Sequence, residues 1–112
     1  MIDASYLAWP FFDERHRALA PAITAWAEKN CVAIDHHDVD AACRKLVAQL
    51  GRDGVLKHTA PGDGVETIDV RTLALIRETL ARHSGLADFA FAMQGLGAGP
   101  ISLFGSKAQR DE

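Results

Sequence analysis

Apolar residues recur at helical spacing along most of this chain, and polar runs divide them into four stretches. In the first, Phe11 to Lys29, residues Phe12, Leu19, Ile23 and Trp26 share a face, with Glu14, Arg15 and Arg17 falling between them. Pro21 sits inside this pattern, so the helix kinks there or restarts with Pro21 in its first turn. Asn30 suits its end. After the polar connector "AIDHHDVD", Asp38 suits the N-cap of a second helix over Val39 to Leu50, with Gly51 as its stop. "GRDGVLKHTAPGDGVETI" holds four glycines and a proline and reads as a long loop, with room for a short strand. The third helix runs from Ile68 to His83, with Asp69 in or just before its first turn. Leu73, Ile76 and Leu80 form its apolar stripe, and Arg71, Arg77, Glu78 and Arg82 face solvent. Ser84-Gly85 breaks it. The fourth helix covers Leu86 to Leu96, Gly97-Ala98-Gly99-Pro100 ends it, and "PISLF" makes a helical turn before Gly105. The pattern predicts an all-α fold: one domain over 1–112, with four main helices and a short one before the C-terminus.

Two features of the last third stand apart. Between Asp88 and Lys107 lie eighteen uncharged residues, "FAFAMQGLGAGPISLFGS". That length invites a membrane span, but four glycines, a proline, a glutamine and two serines argue against one. A helix buried nearly all round fits better. The second feature is Ser106-Lys107-Ala108-Gln109, a capping box that opens a helix with only Lys107 to Glu112 to fill it. Helices that short are marginal by themselves.

Composition narrows the function classes only slightly. At 112 residues, 48% hydrophobic and 24% charged, the chain has ordinary globular proportions. A formal charge of −3 leaves no general nucleic-acid footprint. The start, "MIDASYLAWPFFDE", does not read as a secretory signal, and Cys31 and Cys43 read as reduced cytoplasmic thiols.

Candidate chemistry is sparse. "GLGAGP" at 95–100 resembles a phosphate loop, but a helix precedes it where a strand is needed, so it reads as a helix end and tight turn. "DHHD" at 35–38, near Cys31 and Cys43, lacks the close ligand pairs of a zinc site and reads as a hydrated connector. His16 falls on the apolar stripe as a hydrogen-bonded histidine at the edge of the core, and His58 and His83 have no evident partner. Asp13 and Glu14, or Asp63 and Glu66, read as solvent-facing acids. No catalytic constellation emerges. Phe89, Ala92, Met93 and Leu96 stand at i, i+3, i+4 and i+7 on the uncharged helix. The stripe is core or, alternatively, the wall of an apolar ligand pocket, with Ala92 and the glycines leaving room and Met93 adapting.

The run Gly99-Pro100-Ile101-Ser102-Leu103-Phe104-Gly105-Ser106-Lys107-Ala108-Gln109 resembles the N-terminal domain of the acyl-CoA dehydrogenases. In that family a small-residue turn is followed by Pro-Ile, a few apolar residues and Phe-Gly-Thr/Ser-x-x-Gln. "RALAP" at 17–21 and "LGRDGVL" at 50–56 are similar to the family's first-helix kink and Leu-Gly-x-x-Gly turn, which extends the resemblance from about Phe11 onward.

The resemblance implies a helical bundle domain whose last helix continues into a β-domain and a C-terminal helical domain, both absent from this chain. It implies FAD held mainly by those later domains, a catalytic glutamate beyond residue 112, and no catalytic residue or metal here. The reaction implied is α,β-dehydrogenation of an acyl-CoA, the α-proton going to a carboxylate and the β-hydrogen to the flavin as hydride. Electron-transfer flavoprotein and a homo-oligomeric, cytoplasmic parent enzyme are implied with it, without nucleic acid or a membrane span. Phe89, Ala92, Met93 and Leu96 become the expected acyl-chain contacts. The alternative is a free-standing helical binding or interaction module. The connector "HTAPGDGVETI" and the charge of Asp88 depart from the family pattern.

Overall fold

The computed structural model describes residues 3–60 and 67–112, and among them every regular element is helical. A 3-10 turn at Ser5–Ala8 precedes α1 (Glu14–Asn30). Then come α2 (Val39–Arg52), a 3-10 turn at Leu56–Thr59, α3 (Val70–His83), α4 (Gly85–Phe104) and α5 (Lys107–Asp111). The room allowed for a short strand, and the acids Asp63 and Glu66, fall at 61–66, outside the described residues.

Local chemistry sets the helix starts. Each α-helix opens on Asp or Ser, namely Asp13, Asp38, Asp69, Ser84 and Ser106. Such side chains accept the backbone N–H groups that a first turn leaves unpaired. Asp38 accepts from Ala41, Asp69 from Arg71 and Thr72, Ser84 from Ala87, and Ser106 from Gln109. The capping box of α5 closes as its sequence predicts, the Ser106 N–H donating to the Gln109 side-chain oxygen at 2.9 Å.

The stops correct the sequence reading. Gly51 lies inside α2, which ends with Gly54 in the left-handed region at φ 77°. Val55 N–H donates to Leu50 O at 2.9 Å and Gly54 N–H to Gly51 O at 3.1 Å, the paired bonds of a Schellman stop. Both Leu50 and Val55 are buried, so the apolar contact that accompanies this motif is present. Pro21 does not restart α1, which runs through it without a break. The carbonyl deprived of its donor belongs to Arg17, an exposed residue.

Gly97-Ala98-Gly99-Pro100 likewise fails to end α4, which continues to Phe104 and absorbs the expected separate turn "PISLF". The stop falls instead at Gly105, where an added Cβ would meet the Ile101 carbonyl oxygen at 2.5 Å. Only glycine lets the chain turn this tightly into α5.

α3 occupies the centre, packed by α1 and by α4, while α4 also meets α2 and the Leu56–Thr59 turn. Ile23 and Ala27 of α1, Leu46 and Leu50 of α2, Ile76 and Leu80 of α3, and Ala87, Ala90 and Phe91 of α4 form one buried cluster. Leu50, Ile76, Leu80 and Phe91 are fully enclosed. Each contributes about 1.5–3 kcal/mol of burial. The stripe read on α3 widens to Thr72, Leu75, Ile76, Thr79 and Leu80, with Leu73 only partly covered.

The molecule is a slab of 44 × 42 × 18 Å, less than two helix diameters of about 10 Å deep. Its radius of gyration, 14.7 Å, exceeds the roughly 13 Å of a compact domain of this length. Flatness leaves one face of α4 without cover. The expectation of a helix buried nearly all round is therefore wrong for this chain: among its residues only Ala87, Ala90 and Phe91 are buried.

Gly54→Ala should cost about 1 kcal/mol in denaturant unfolding, because nothing crowds the site and the whole penalty is the left-handed backbone. Gly85→Ala, equally uncrowded but helical, should stay within about 0.5 kcal/mol of the parent. Equal effects would remove the backbone explanation for the stop.

Candidate functional site

The exposed face of α4 is a continuous apolar stripe. Phe89, Met93, Leu96, Pro100, Leu103 and Phe104 recur at i, i+4, i+7, i+11, i+14 and i+15, which places them on one side of the helix. Phe89 is 54% exposed, Leu96 69% and Phe104 87%. Between Phe89 and Ser106 the stretch carries no charge. Monomers rarely leave a contiguous apolar face of several hundred Å² to water, and where they do it commonly marks a binding surface.

Beside the stripe lies an open recess of about 390 Å³ between α4, α3 and the Leu56–Thr59 turn. Phe91 and Leu73 line it with Thr59, Ile68, Met93 and Leu96, and Ala92 and Gly95 add little side chain. Three of the four residues read from the sequence as acyl contacts, Ala92, Met93 and Leu96, thus share this recess. Phe89 does not; it stands on the open stripe. The walls from outside α4, namely Thr59, Ile68, Leu73 and Arg77, were missed by the sequence reading, since no periodicity connects a loop, a linker and a neighbouring helix.

Arg77 also borders the recess, and it is not merely solvated. Its Nε donates to Asp88 Oδ1 at 2.8 Å and its terminal nitrogen to Oδ2 at 3.0 Å, a two-pronged pair joining α3 to the first turn of α4. The pair raises the guanidinium pKa further. It also accounts for the charge that Asp88 brings to an otherwise uncharged helix. Arg71, Glu78 and Arg82 have partners too: the Phe11 carbonyl and Asp13, the Tyr6 hydroxyl, and Glu78 respectively.

The other candidate chemistries resolve differently. Gly95, Gly97 and Gly99 are helical, so "GLGAGP" is neither a tight turn nor a phosphate cradle, its N–H groups being those of an α-helix interior. His36 and His37 lie on an exposed connector, and among the described residues no three metal-ligating side chains converge. Cys31 and Cys43 are unpaired, and burial raises the Cys31 thiol pKa.

His16 is fully enclosed rather than at the edge of the core. Its Nδ1 accepts the Asp13 N–H at 2.9 Å, so the ring proton belongs on Nε2, which donates to Asp69 Oδ2 at 2.9 Å. Asp69 also takes the Thr72 hydroxyl at 2.8 Å and lies 3.2 Å from Arg15. Burial works against the Asp69 charge, but the bonds from Thr72 and His16 outweigh it and hold the carboxyl well below the usual range. A histidine with both nitrogens engaged and no exposed surface cannot meet a substrate. This cluster is structural.

The model of the family described as acyl-CoA dehydrogenase, N-terminal domain, matches residues 13–112. The chain belongs to that family. Among curated proteins none matches. In this acyl-CoA dehydrogenase N-terminal domain the matched span begins at Asp13, the N-cap of α1, and takes in the whole run from Gly99 to Gln109. The glycine after Phe104 in this run is the close-packed Gly105, and its Ser-x-x-Gln is the box that opens α5. "LGRDGVL" is the Schellman stop of α2. No helix among the described residues is long and apolar enough to cross a membrane.

Asp69→Ala should cost about 2–4 kcal/mol, since it strips the α3 cap and leaves the buried His16 N–H without an acceptor. The folded carboxyl titrates below the unfolded one, so its contribution is whole at neutral pH and declines as the pH falls from about 5. Unfolding measured against pH should show a flatter acid limb for Asp69→Asn, which keeps a capping oxygen. An unchanged limb would assign acid sensitivity elsewhere.

Proposed function

We propose that residues 1–112 form the N-terminal helical domain of an FAD-dependent acyl-CoA dehydrogenase, and that α4 closes one side of the cavity that holds the acyl chain and the flavin. The observation that carries this reading is the uncharged stripe of α4, exposed over four turns beside an apolar recess. Folding of this domain does not require those positions to be apolar. A cavity that excludes water around an acyl tail does.

The parent enzyme in this reading performs α,β-dehydrogenation of acyl-CoA thioesters. In this reading the flavin and the catalytic carboxylate are held mainly by a β-domain and a C-terminal helical domain of the parent enzyme. Electron-transfer flavoprotein as acceptor, a homo-oligomeric parent and a cytoplasmic location belong to the same proposal. This chain supplies shape and dryness through Phe89, Ala92, Met93 and Leu96.

Reading the gene past Glu112 separates this from a free-standing helical module. A β-rich stretch and a further long helical region support the enzyme, and a stop codon supports the module. The purified 112-residue chain should be colourless and inactive toward acyl-CoA; a yellow sample that turns one over would refute the division of labour.

The sharper test is Ala92→Phe in the complete enzyme. Ala92 sits between the stripe and the recess, and a ring there shortens the space for a tail. Refusing a methylene in an apolar pocket is worth about 1–3 kcal/mol, so kcat/KM for long acyl-CoAs should fall roughly tenfold or more relative to short ones. An unchanged chain-length profile in a folded, flavinated variant would return these residues to a purely structural role.

A further inference from the structure

We propose that the recess between α3, α4 and the Leu56–Thr59 turn is a side pocket for a ring or branch on the tail of the acyl substrate. The proposal rests on α4 being a cavity wall, and it adds the shape of the tail that the wall accepts.

The position of the recess is the first argument. It opens where Ala92 and Leu96 adjoin the exposed stripe, so a tail lying along α4 passes its mouth. A straight chain can stay on the stripe. Bulk carried to one side of the tail has somewhere to go.

The chemistry of the lining is the second. Phe91, fully enclosed, fixes the floor, and Leu73 and Ile68 form carbon walls. Among the described polar groups at the rim, the Thr59 hydroxyl donates to the Leu56 carbonyl at 2.7 Å, and Arg77 turns its Nε and one terminal nitrogen to Asp88. What the recess presents to a ligand is mostly hydrocarbon. It therefore selects by shape rather than by hydrogen bonding.

The third argument is which residues stand on the α4 side. Ala92 and Gly95, at i and i+3, are the smallest side chains lining the recess, and the pliable Met93 lies between them. An added Cβ at Gly95 would sit 3.6 Å from the Thr59 Cβ, ordinary contact across the recess. A methyl at this position therefore fits without displacing the Leu56–Thr59 turn.

The pocket is built wholly from this chain, so the 112-residue protein can be tested directly. Cyclohexylacetate and n-octanoate carry equal numbers of carbons, one as a ring and one as a straight tail. Each is titrated into protein labelled at methionine and isoleucine methyls. Cyclohexylacetate should shift the Met93 and Ile68 signals and bind roughly fourfold more tightly, the worth of one more buried methylene.

Gly95→Leu should abolish the preference with the helical circular dichroism intact, and Gly95→Ala, the gentler change, should reduce it. Equal affinities, shifts confined to Met93 and Ile101 with Ile68 unmoved, or no binding of either acid would overturn the proposal. The two readings fail separately. If ring preference persists but Ala92→Phe leaves the complete enzyme's straight-chain profile unchanged, the cavity-wall reading falls. A shifted profile without ring preference removes only the side pocket.

Discussion

The bridge from His16 to Asp69 is the constraint on which the rest of the structure depends. A fully enclosed imidazole is tolerable only when both nitrogens find partners. Here one partner is the backbone N–H at the cap of its own helix and the other is the cap of a helix 53 residues away. The start of α1 is thereby pinned to the start of α3. Ile23 and Ala27 then join Ile76 and Leu80 in the same buried cluster. Since α4 packs on α3 as well, an error in the α1–α3 register would pass to the helix that carries the candidate site.

The way α4 is held explains its one-sidedness. Ala87 and Ala90 are small enough to let it approach the core closely, and Phe91 supplies its one large buried side chain. The Arg77–Asp88 clamp fastens its first turn from outside. Because Arg77 is more than half exposed, that clamp is worth little as stability and more as orientation. Everything that attaches α4 to this domain thus lies on one side, and the apolar residues of the other side are left exposed.

What was legible in the sequence was local. Each helix start depends on one short polar side chain and the two or three N–H groups after it, so Asp38, Asp69 and Ser106 could be read directly. Helix ends were harder, because glycine permits either outcome. Gly51 and Gly54 look alike in sequence. The choice fell to Gly54 because only there does Val55 return to cover Leu50, a packing event that composition does not record. The same limit hid the partner of His16 and the four recess walls outside α4, which come from three separate parts of the chain. The family resemblance survived because its signature is a single uninterrupted run whose glycine and capping box do their work within a few residues.

Pro100 divides the stripe into two unequal halves. It cannot donate to the carbonyl of Leu96, so that acceptor lacks its usual helical partner at the centre of the exposed face. Covering it with hydrocarbon alone would strand the acceptor at about 1–3 kcal/mol, whereas a covering group with a donor would not. From Phe89 to Met93 no such acceptor arises, because the residues four further on carry ordinary N–H groups. A purely apolar tail is therefore accommodated most cheaply on the N-terminal half, beside Ala92 and the recess. Among the proposed acyl contacts this asymmetry favours Phe89, Ala92 and Met93, whose carbonyls keep their helical donors, over Leu96.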